Sequence, residues 1–125
     1  MKPNAAVWFE IYVQDMDRAK RFYESVLKTH LSKLDTPVPG LDMWMFDGQP
    51  DAPGATGALV CMHGVPSGAN STLVYFHCED CAVEEARVKA AGGEVHRPKM
   101  SIGKYGAISL VLDTEGNMIG LHSLQ

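Results

Sequence analysis

Residues 7–23, VWFEIYVQDMDRAKRFY, decide the fold of this chain. Residues 7–13 alternate with a period of two and are rich in β-branched and aromatic side chains, which predicts a strand. Asp15 is a favourable helix N-cap, and the apolar residues after it follow helical spacing with charged residues between them. The segment therefore predicts a strand that leads into an amphipathic helix.

The same pattern occurs a second time further along the chain. Residues 73–78 alternate like the first strand, Asp80 is a second N-cap, and Gly92-Gly93 ends the second helix. Placing Asp15 on Asp80 aligns the two strands without a gap. An internal repeat of this kind predicts two similar modules.

Further short strands follow each helix, separated by turns rich in Gly, Pro, Asn and Asp. We place them at residues 42–46, 57–63, 94–97, 107–112 and 118–123. The expected fold is therefore α/β (α+β), with two βαβββ modules at about residues 1–66 and 67–125 of a single domain. Each module should have a helix on the convex side of its sheet.

Composition limits the possible partners. The chain has 125 residues and a net charge of −4, and it contains no run of basic residues, so we expect no nucleic-acid partner. The apolar stretches are strand-sized and residues 1–6 do not form a signal peptide, which favours a cytoplasmic protein with no membrane contact. Cys78 and Cys81 form a lone CxxC pattern that we interpret as small buried side chains, not as a redox or zinc site.

Three strings resemble the vicinal-oxygen-chelate superfamily, the glyoxalase and bleomycin-resistance fold. They are FEIYVQDMDRA at 9–19, FY at 22–23 and LDTEGNMIGL at 112–121, and the resemblance covers nearly the whole chain. This superfamily contains lyases, isomerases, epimerases, extradiol dioxygenases and metal-free antibiotic-binding proteins, so the fold does not determine the reaction. Relatives commonly complete their cups across a two-fold axis, so the resemblance also implies a homodimer.

The resemblance also implies where a metal ion would be held. Metal-dependent members use His or Glu side chains from the first and last strand of each module, and these positions fall on Trp8, Cys61, Leu73 and Gly120. Indole, isobutyl and glycine supply no ligand atom, and a single thiol binds an ion weakly. We therefore expect no cofactor, with one divalent metal ion as the alternative.

Strand alternation assigns other side chains to the cup, because residues two apart on a strand point to one face. A face that mixes aromatic and polar groups is typical of a ligand pocket, although a simply solvated sheet face is the alternative. The predicted cup residues are Trp8, Glu10, Tyr12, Leu59, Cys61, His63, Leu73, Tyr75, His77, Met118, Gly120 and His122. The predicted core residues are Phe9, Ile11, Val13, Val60, Met62, Val74, Phe76, Ile119 and Leu121. Lys99 and Tyr105 flank a loop that borders the site in the superfamily, so we expect them to contact the ligand.

Glu10 is the candidate catalytic base, or else a partner of a lysine or a tyrosine hydroxyl. Glu10, His63 and His122 each lie two residues beyond a predicted metal position, which raises the hypothesis of a displaced metal triad. The main hypothesis is a metal-free cup that binds a small aromatic or carbonyl-bearing molecule. The alternatives are a divalent-metal-dependent, glyoxalase-like lyase or isomerase, a dioxygenase, and a structural module whose cup is filled by its own side chains.

Overall fold

The computed structural model describes residues 9–36, 39–49, 51–68, 73–103 and 106–125. The first module contains β1 (Phe9–Tyr12), α1 (Met16–Leu27), β2 (Leu31–Leu34), β3 (Leu41–Phe46) and β4 (Gly57–Met62). The second contains β5 (Tyr75–His77), α2 (Cys81–Val88), β6 (Glu94–Ser101), β7 (Ala107–Leu112) and β8 (Met118–Ser123). The predicted α+β fold with two βαβββ modules is confirmed.

Each module forms a four-stranded mixed sheet with the same strand order. The orders are β1-β4-β3-β2 and β5-β8-β7-β6, with one parallel pair in each sheet, β1 with β4 and β5 with β8. Strand β2 was not predicted. Its sequence LSKL buries only Leu31 fully, and so short an edge strand carries too little alternation to be recognised.

The two helices begin as expected from their caps. The Asp15 side chain accepts a hydrogen bond from the backbone N–H of Arg18, and Asp80 accepts one from Ala82. Helix α1 buries one face completely, formed by Met16, Ala19, Phe22, Tyr23 and Val26. Helix α2 is shorter, at eight residues. Neither helix in the described part of the chain is long and apolar enough to cross a membrane.

The core lies between the sheets and the helices and joins the two modules. Aromatic rings from both modules meet there: Phe9 and Phe76 have ring centroids 5.3 Å apart, and Phe46 and Phe76 are 5.6 Å apart. Cys78 and Cys81 are buried, as predicted. Burial, together with the nearby Glu84 carboxylate, raises the pKa of Cys78 to about 12, which keeps the thiol protonated and unreactive at neutral pH.

Candidate functional site

The open face is the side of each sheet that is turned away from α1 and α2. In the first sheet, Ile11 lies in the core and pairs with Leu59. Glu10 and Tyr12 therefore lie on the open face, because successive side chains of a strand point to opposite sides. Their β4 partners and the adjacent β3 side chains complete this wall, namely Ala58, Val60, Met62, Leu41, Met43 and Met45. Ala58 and Val60 are fully buried within it. The wall is apolar and rich in methionine.

The open face of the second sheet is more polar. Tyr75 pairs with Gly120 and His77 pairs with His122, on the side opposite the core residue Leu121. The pairing of β7 with β8, and of β6 with β7, extends this face with Ile108, Leu110, Leu112, Arg97 and Met100. Four predicted cup residues, Tyr75, His77, Gly120 and His122, therefore share one face.

Strand β4 has the opposite orientation to the predicted one. Leu59 belongs to the core, Cys61 packs against it, and the Cys61 thiol lies 3.9 Å from the backbone oxygen of Gln14. The prediction that Leu59 and Cys61 face the cup is therefore wrong. Val60 and Met62 lie on the side opposite to the predicted one; Met62 is exposed there, whereas Val60 is still buried, as predicted. Residues 58–62 are apolar at every position, so alternation carried no signal there, and the parallel pairing with β1 sets the orientation.

Glu10 and Tyr12 form a polar pair on the otherwise apolar first wall. The Tyr12 hydroxyl donates a 2.9 Å hydrogen bond to Oε1 of Glu10. This hydrogen bond, together with burial and the negative charge of Glu10, raises the pKa of Tyr12. Both residues border a cavity of about 170 Å³ whose wall also contains Met118 of β8. The pair thus lies where the two modules meet.

Tyr75 covers the backbone of Gly120. A Cβ atom at position 120 would overlap the ring carbons of Tyr75, so only glycine leaves room for the ring there. Tyr75 is 49% exposed, so its ring forms part of the open surface. At this point the second wall presents an aromatic ring in place of a β8 side chain.

Lys99 does not face the open side. Its ammonium group donates a 2.7 Å hydrogen bond to Asp80, the N-cap of α2, and its backbone N–H binds Glu85 of the same helix. Two irregularities in the pairing of β6, one on each side of Arg97, shift the register and turn Lys99 toward the helix. The structure thus directs Lys99 toward α2 and away from the open face, and its contact with a ligand stays a prediction.

Of the remaining predicted site residues, Leu73 and His63 are described, and neither lies in a strand. Trp8 and Tyr105 lie outside the described residues. Leu73 is half-buried and precedes β5, whose first residue is Tyr75 and not, as predicted, Leu73. His63 is exposed in the turn after β4.

The turn between β7 and β8 holds the N-terminus of α1. Glu115 accepts hydrogen bonds from the backbone N–H groups of Gln14 at 2.9 Å and Asp15 at 3.1 Å, and it pairs with Arg18 at 2.8 Å. Burial alone would raise the pKa of Glu115. The bonds from Arg18, Thr114 and the two backbone groups outweigh burial and lower this pKa to about 2.

Asp113 forms a second, buried connection between the modules. It accepts a 2.6 Å hydrogen bond from the Tyr23 hydroxyl and a 3.0 Å bond from the Asn117 side chain, which also donates to the backbone oxygen of Tyr12 at 2.9 Å. Burial, with the charge of Asp113, raises the pKa of Tyr23 well above its usual value. These contacts fix the end of β1, and with it the Glu10–Tyr12 pair.

Tyr23, Asp113, Glu115 and Asn117, which connect the two modules, belong to the strings that carry the superfamily resemblance. A comparison of the whole sequence with known families agrees with this resemblance. The profile of the Glyoxalase/Bleomycin resistance protein/Dioxygenase superfamily matches residues 5–121. The chain belongs to this superfamily. Proteins named "Putative glyoxylase CFP32" from Mycobacterium bovis and Mycobacterium tuberculosis are 29% identical over 123 residues, or 91% of this chain. The chain spans 43% of the length of these curated relatives.

Solved structures of superfamily members share the fold. Glyoxalase I from Zea mays has a TM-score of 0.74 at 21% identity, covering 94% of this chain and 45% of that one. TnmS3, an antibiotic binding protein from Streptomyces sp. CB03234, has a TM-score of 0.69 at 25% identity and covers 98% of both chains. The similarity to TnmS3 thus extends over the full length of both proteins.

The residues at the superfamily's metal positions do not fit a divalent ion. Of the described positions, Leu73 has no ligand atom, Cys61 packs against the core, and Gly120 is covered by the ring of Tyr75. A carboxylate or imidazole cannot be presented from a glycine whose side-chain space is filled. A metal site of the superfamily type therefore has no support from the described residues at these positions.

The displaced triad is not assembled either. Among the described residues, no group of three His, Cys, Asp or Glu side chains lies close enough together to hold a metal ion. His63 extends from the β4 turn, whereas Glu10 and His122 lie on strands of different sheets. The described residues thus do not bring Glu10, His63 and His122 together as a metal site.

Sequence reasoning missed two features of the open face. Arg97 lies there because it pairs with Leu110, but the irregular pairing on both sides of it hides this orientation. Met43 and Met45 alternate with Asp42 and Trp44, whose side chains bind each other at 3.1 Å on the helix side. The period-two pattern in β3 could have revealed the methionines.

Proposed function

We propose that the chain binds a small aromatic or carbonyl-bearing molecule on its open face, without a metal ion. The observation that carries the proposal is the Tyr75 ring over Gly120, since it gives an apolar contact surface at a position where metal-dependent relatives are implied to hold an ion. Aromatic rings and methionine side chains make favourable contacts with flat ligands.

Exposed apolar area supports the same face. Five large hydrophobic side chains are conspicuously exposed in the described structure, and three of them, Met62, Tyr75 and Met100, lie on the open face. Apolar side chains gathered beside a polar pair are typical of a binding surface and unusual for a face that only contacts water. Both sheets contribute to this surface.

The Glu10–Tyr12 pair gives the ligand its orientation. The carboxylate accepts hydrogen bonds from a ligand, and the tyrosine hydroxyl, held by Glu10, can be shared with a ligand oxygen. In a reaction of the bound molecule, Glu10 is the candidate general base because its carboxylate lies beside the cavity. This assignment explains why a charged residue lies on an apolar wall.

The relatives favour two different functions. TnmS3, similar over its whole length, is an antibiotic binding protein, which supports a binding role. CFP32, with the name of a glyoxylase, supports the alternative of a divalent-metal-dependent lyase or isomerase, and a dioxygenase is the third possibility within the superfamily. The chain corresponds to less than half of CFP32, so an activity of that whole protein is a weaker guide than TnmS3.

A pair of neighbouring β4 variants tests the site. A ligand is first identified by thermal-shift screening of aromatic and quinone-like compounds, and its affinity is then measured by titration calorimetry. Met62→Ala removes a side chain on the open face and should weaken binding about tenfold, whereas Cys61→Ala, on the helix side, should leave it unchanged. Weakening by Cys61→Ala but not by Met62→Ala would assign the ligand to the other face and overturn the proposal.

Two further properties belong to this proposal. We propose a homodimer in which the open face is partly covered by the partner, since its exposed apolar residues need cover. We also propose a cytoplasmic location, with neither nucleic acid nor membrane as a partner, from the charge and composition of the chain.

A further inference from the structure

The two modules meet at two ends, and a second cavity lies at the end away from the Glu115 contacts. It has a volume of about 320 Å³ and lies between the end of α1, the end of β5 and the loop from Asp47 to Thr56. Its size is within the range of small-molecule sites. Its floor is made of core-side rings, and His77 is the one described residue that it shares with the open face.

The internal repeat shows why the two ends differ. The offset that places Asp15 on Asp80 also places Ile11 and Tyr12 on Phe76 and His77. Near Tyr12, a turn of only five residues follows β7 and fills the space with hydrogen-bonded Glu115 and Asn117, leaving a cavity of about 170 Å³. Near His77, ten residues separate β3 from β4 and leave the larger cavity open.

Three phenylalanine rings form the floor of the larger cavity. Phe9 is 5.4 Å from Phe46 and 5.3 Å from Phe76 between ring centroids, and both Phe9 and Phe76 are only partly buried. These rings line the cavity, and an aromatic ring attracts cations to the negative face of its π-system. The floor is therefore suited to a positively charged group as well as to an apolar one.

The rim of the cavity adds the Asp47 carboxylate, which has no partner among the described residues. Asp47 follows β3 as Asp113 follows β7, but Tyr23, which donates to Asp113, aligns with Val88 in the repeat. No described residue forms a hydrogen bond or an ion pair with the Asp47 side chain. Its backbone N–H donates a 3.1 Å hydrogen bond to the backbone oxygen of His30. The lining contains no lysine or arginine, and its other titratable group is His77.

We infer that this cavity is a separate binding site for a small organic cation, an alkyl or aromatic ammonium. The phenylalanine rings contact the alkyl groups around the charge, and Asp47 at the rim neutralises it. This assignment rests on charge complementarity and on the asymmetry between the two module ends. It is independent of any ligand on the open face.

Choline and its uncharged carbon analogue, 3,3-dimethylbutan-1-ol, test the charge preference directly. Titrations of the full chain, followed by NMR of the phenylalanine ring protons, should show choline binding at least tenfold tighter than the alcohol. Asp47→Asn should reduce choline affinity about tenfold, and Asp51→Asn, in the same loop but outside the lining, is the matched control that should leave it unchanged. The shifts should appear on Phe9 and Phe76.

Equal affinity for the two compounds, or no ring-proton shifts with tens of millimolar choline, would overturn the inference. A loss of choline affinity in Asp51→Asn equal to that in Asp47→Asn would also overturn it, because a general charge effect would then explain the binding. Each variant is checked for an unchanged thermal midpoint of unfolding. Phe76→Leu removes one aromatic ring of the floor and should also weaken choline binding. These outcomes are independent of the Met62→Ala result, which concerns the open face.

Discussion

The ring of Tyr75 occupies the space that a side chain at Gly120 would need, across the parallel pair of β5 and β8. The two residues belong to different strands and are 45 positions apart in sequence, so neither position alone indicates the contact. Together they place an aromatic surface on the second wall. From the open face we derive predictions about stability, assembly and metal dependence. The contacts at the junction of the two modules lead to two further predictions about stability.

Gly120→Ala should destabilise the fold by about 1–3 kcal/mol, because the added methyl group displaces the Tyr75 ring. In a Tyr75→Ala background the same substitution should cost much less, since the obstructing ring is gone. Urea denaturation of the parent, both single variants and the double variant measures the coupling. Strictly additive effects of the two substitutions would contradict the contact.

Glu115→Gln should change how stability depends on pH. The pKa of Glu115 is about 2 in the folded chain and near 4.5 when unfolded, so its contribution is complete above about pH 4.5 and is lost as pH falls toward 2. This contribution is about 3 kcal/mol, and the glutamine variant should lack most of it at pH 7 and show a flatter acid limb. Denaturation between pH 2 and 7 tests it, with exposed Glu79→Gln as the control. An equally steep acid limb in Glu115→Gln would contradict the assignment.

Tyr23→Phe removes the hydroxyl that donates to Asp113 inside the core. We expect a loss of about 1–2 kcal/mol in the free energy of unfolding, because Asp113 keeps its other donors but loses one buried hydrogen bond. Tyr12→Phe, whose hydroxyl binds Glu10 near the surface, should cost about 0.5 kcal/mol or less. Equal costs measured by urea denaturation would show that burial of the Tyr23 bond does not matter.

The architecture could be predicted well from the sequence because the same strand-and-helix pattern occurs in both modules. The alternation before Asp15 and Asp80 gave β1 and the position of β5, and the caps gave both helices. Glu10, Tyr12, Tyr75 and His122 were placed on the open face correctly for the same reason, since polar and apolar residues alternate in these strands.

The incorrect or missing predictions about side-chain positions have local physical causes. In β4 every residue from Ala58 to Met62 is apolar, so only pairing with β1 could orient Cys61. Lys99 was misplaced because irregular pairing in β6 shifts side chains to the other face, and such irregularities leave little trace in sequence. The role of Asp113 and Glu115 as connectors depends on contacts about a hundred positions apart, which alternation does not reveal.

Light scattering at micromolar concentration should give twice the mass of the chain. The exposed Met62, Tyr75 and Met100 side chains supply apolar area for a partner. Met100→Asp should shift the equilibrium toward monomer, whereas Val83→Asp, on the exposed side of α2, should not. A monomer at all concentrations would contradict the proposed dimer.

The most direct test of the central claim is the affinity of a confirmed open-face ligand for protein stripped with a chelator, compared with protein supplied with zinc, nickel or iron(II). The account predicts the same dissociation constant in both states, because Gly120, Leu73 and Cys61 supply no metal site and the affinity comes from apolar contacts. Loss of binding on chelation, restored by one equivalent of metal per chain, would contradict it.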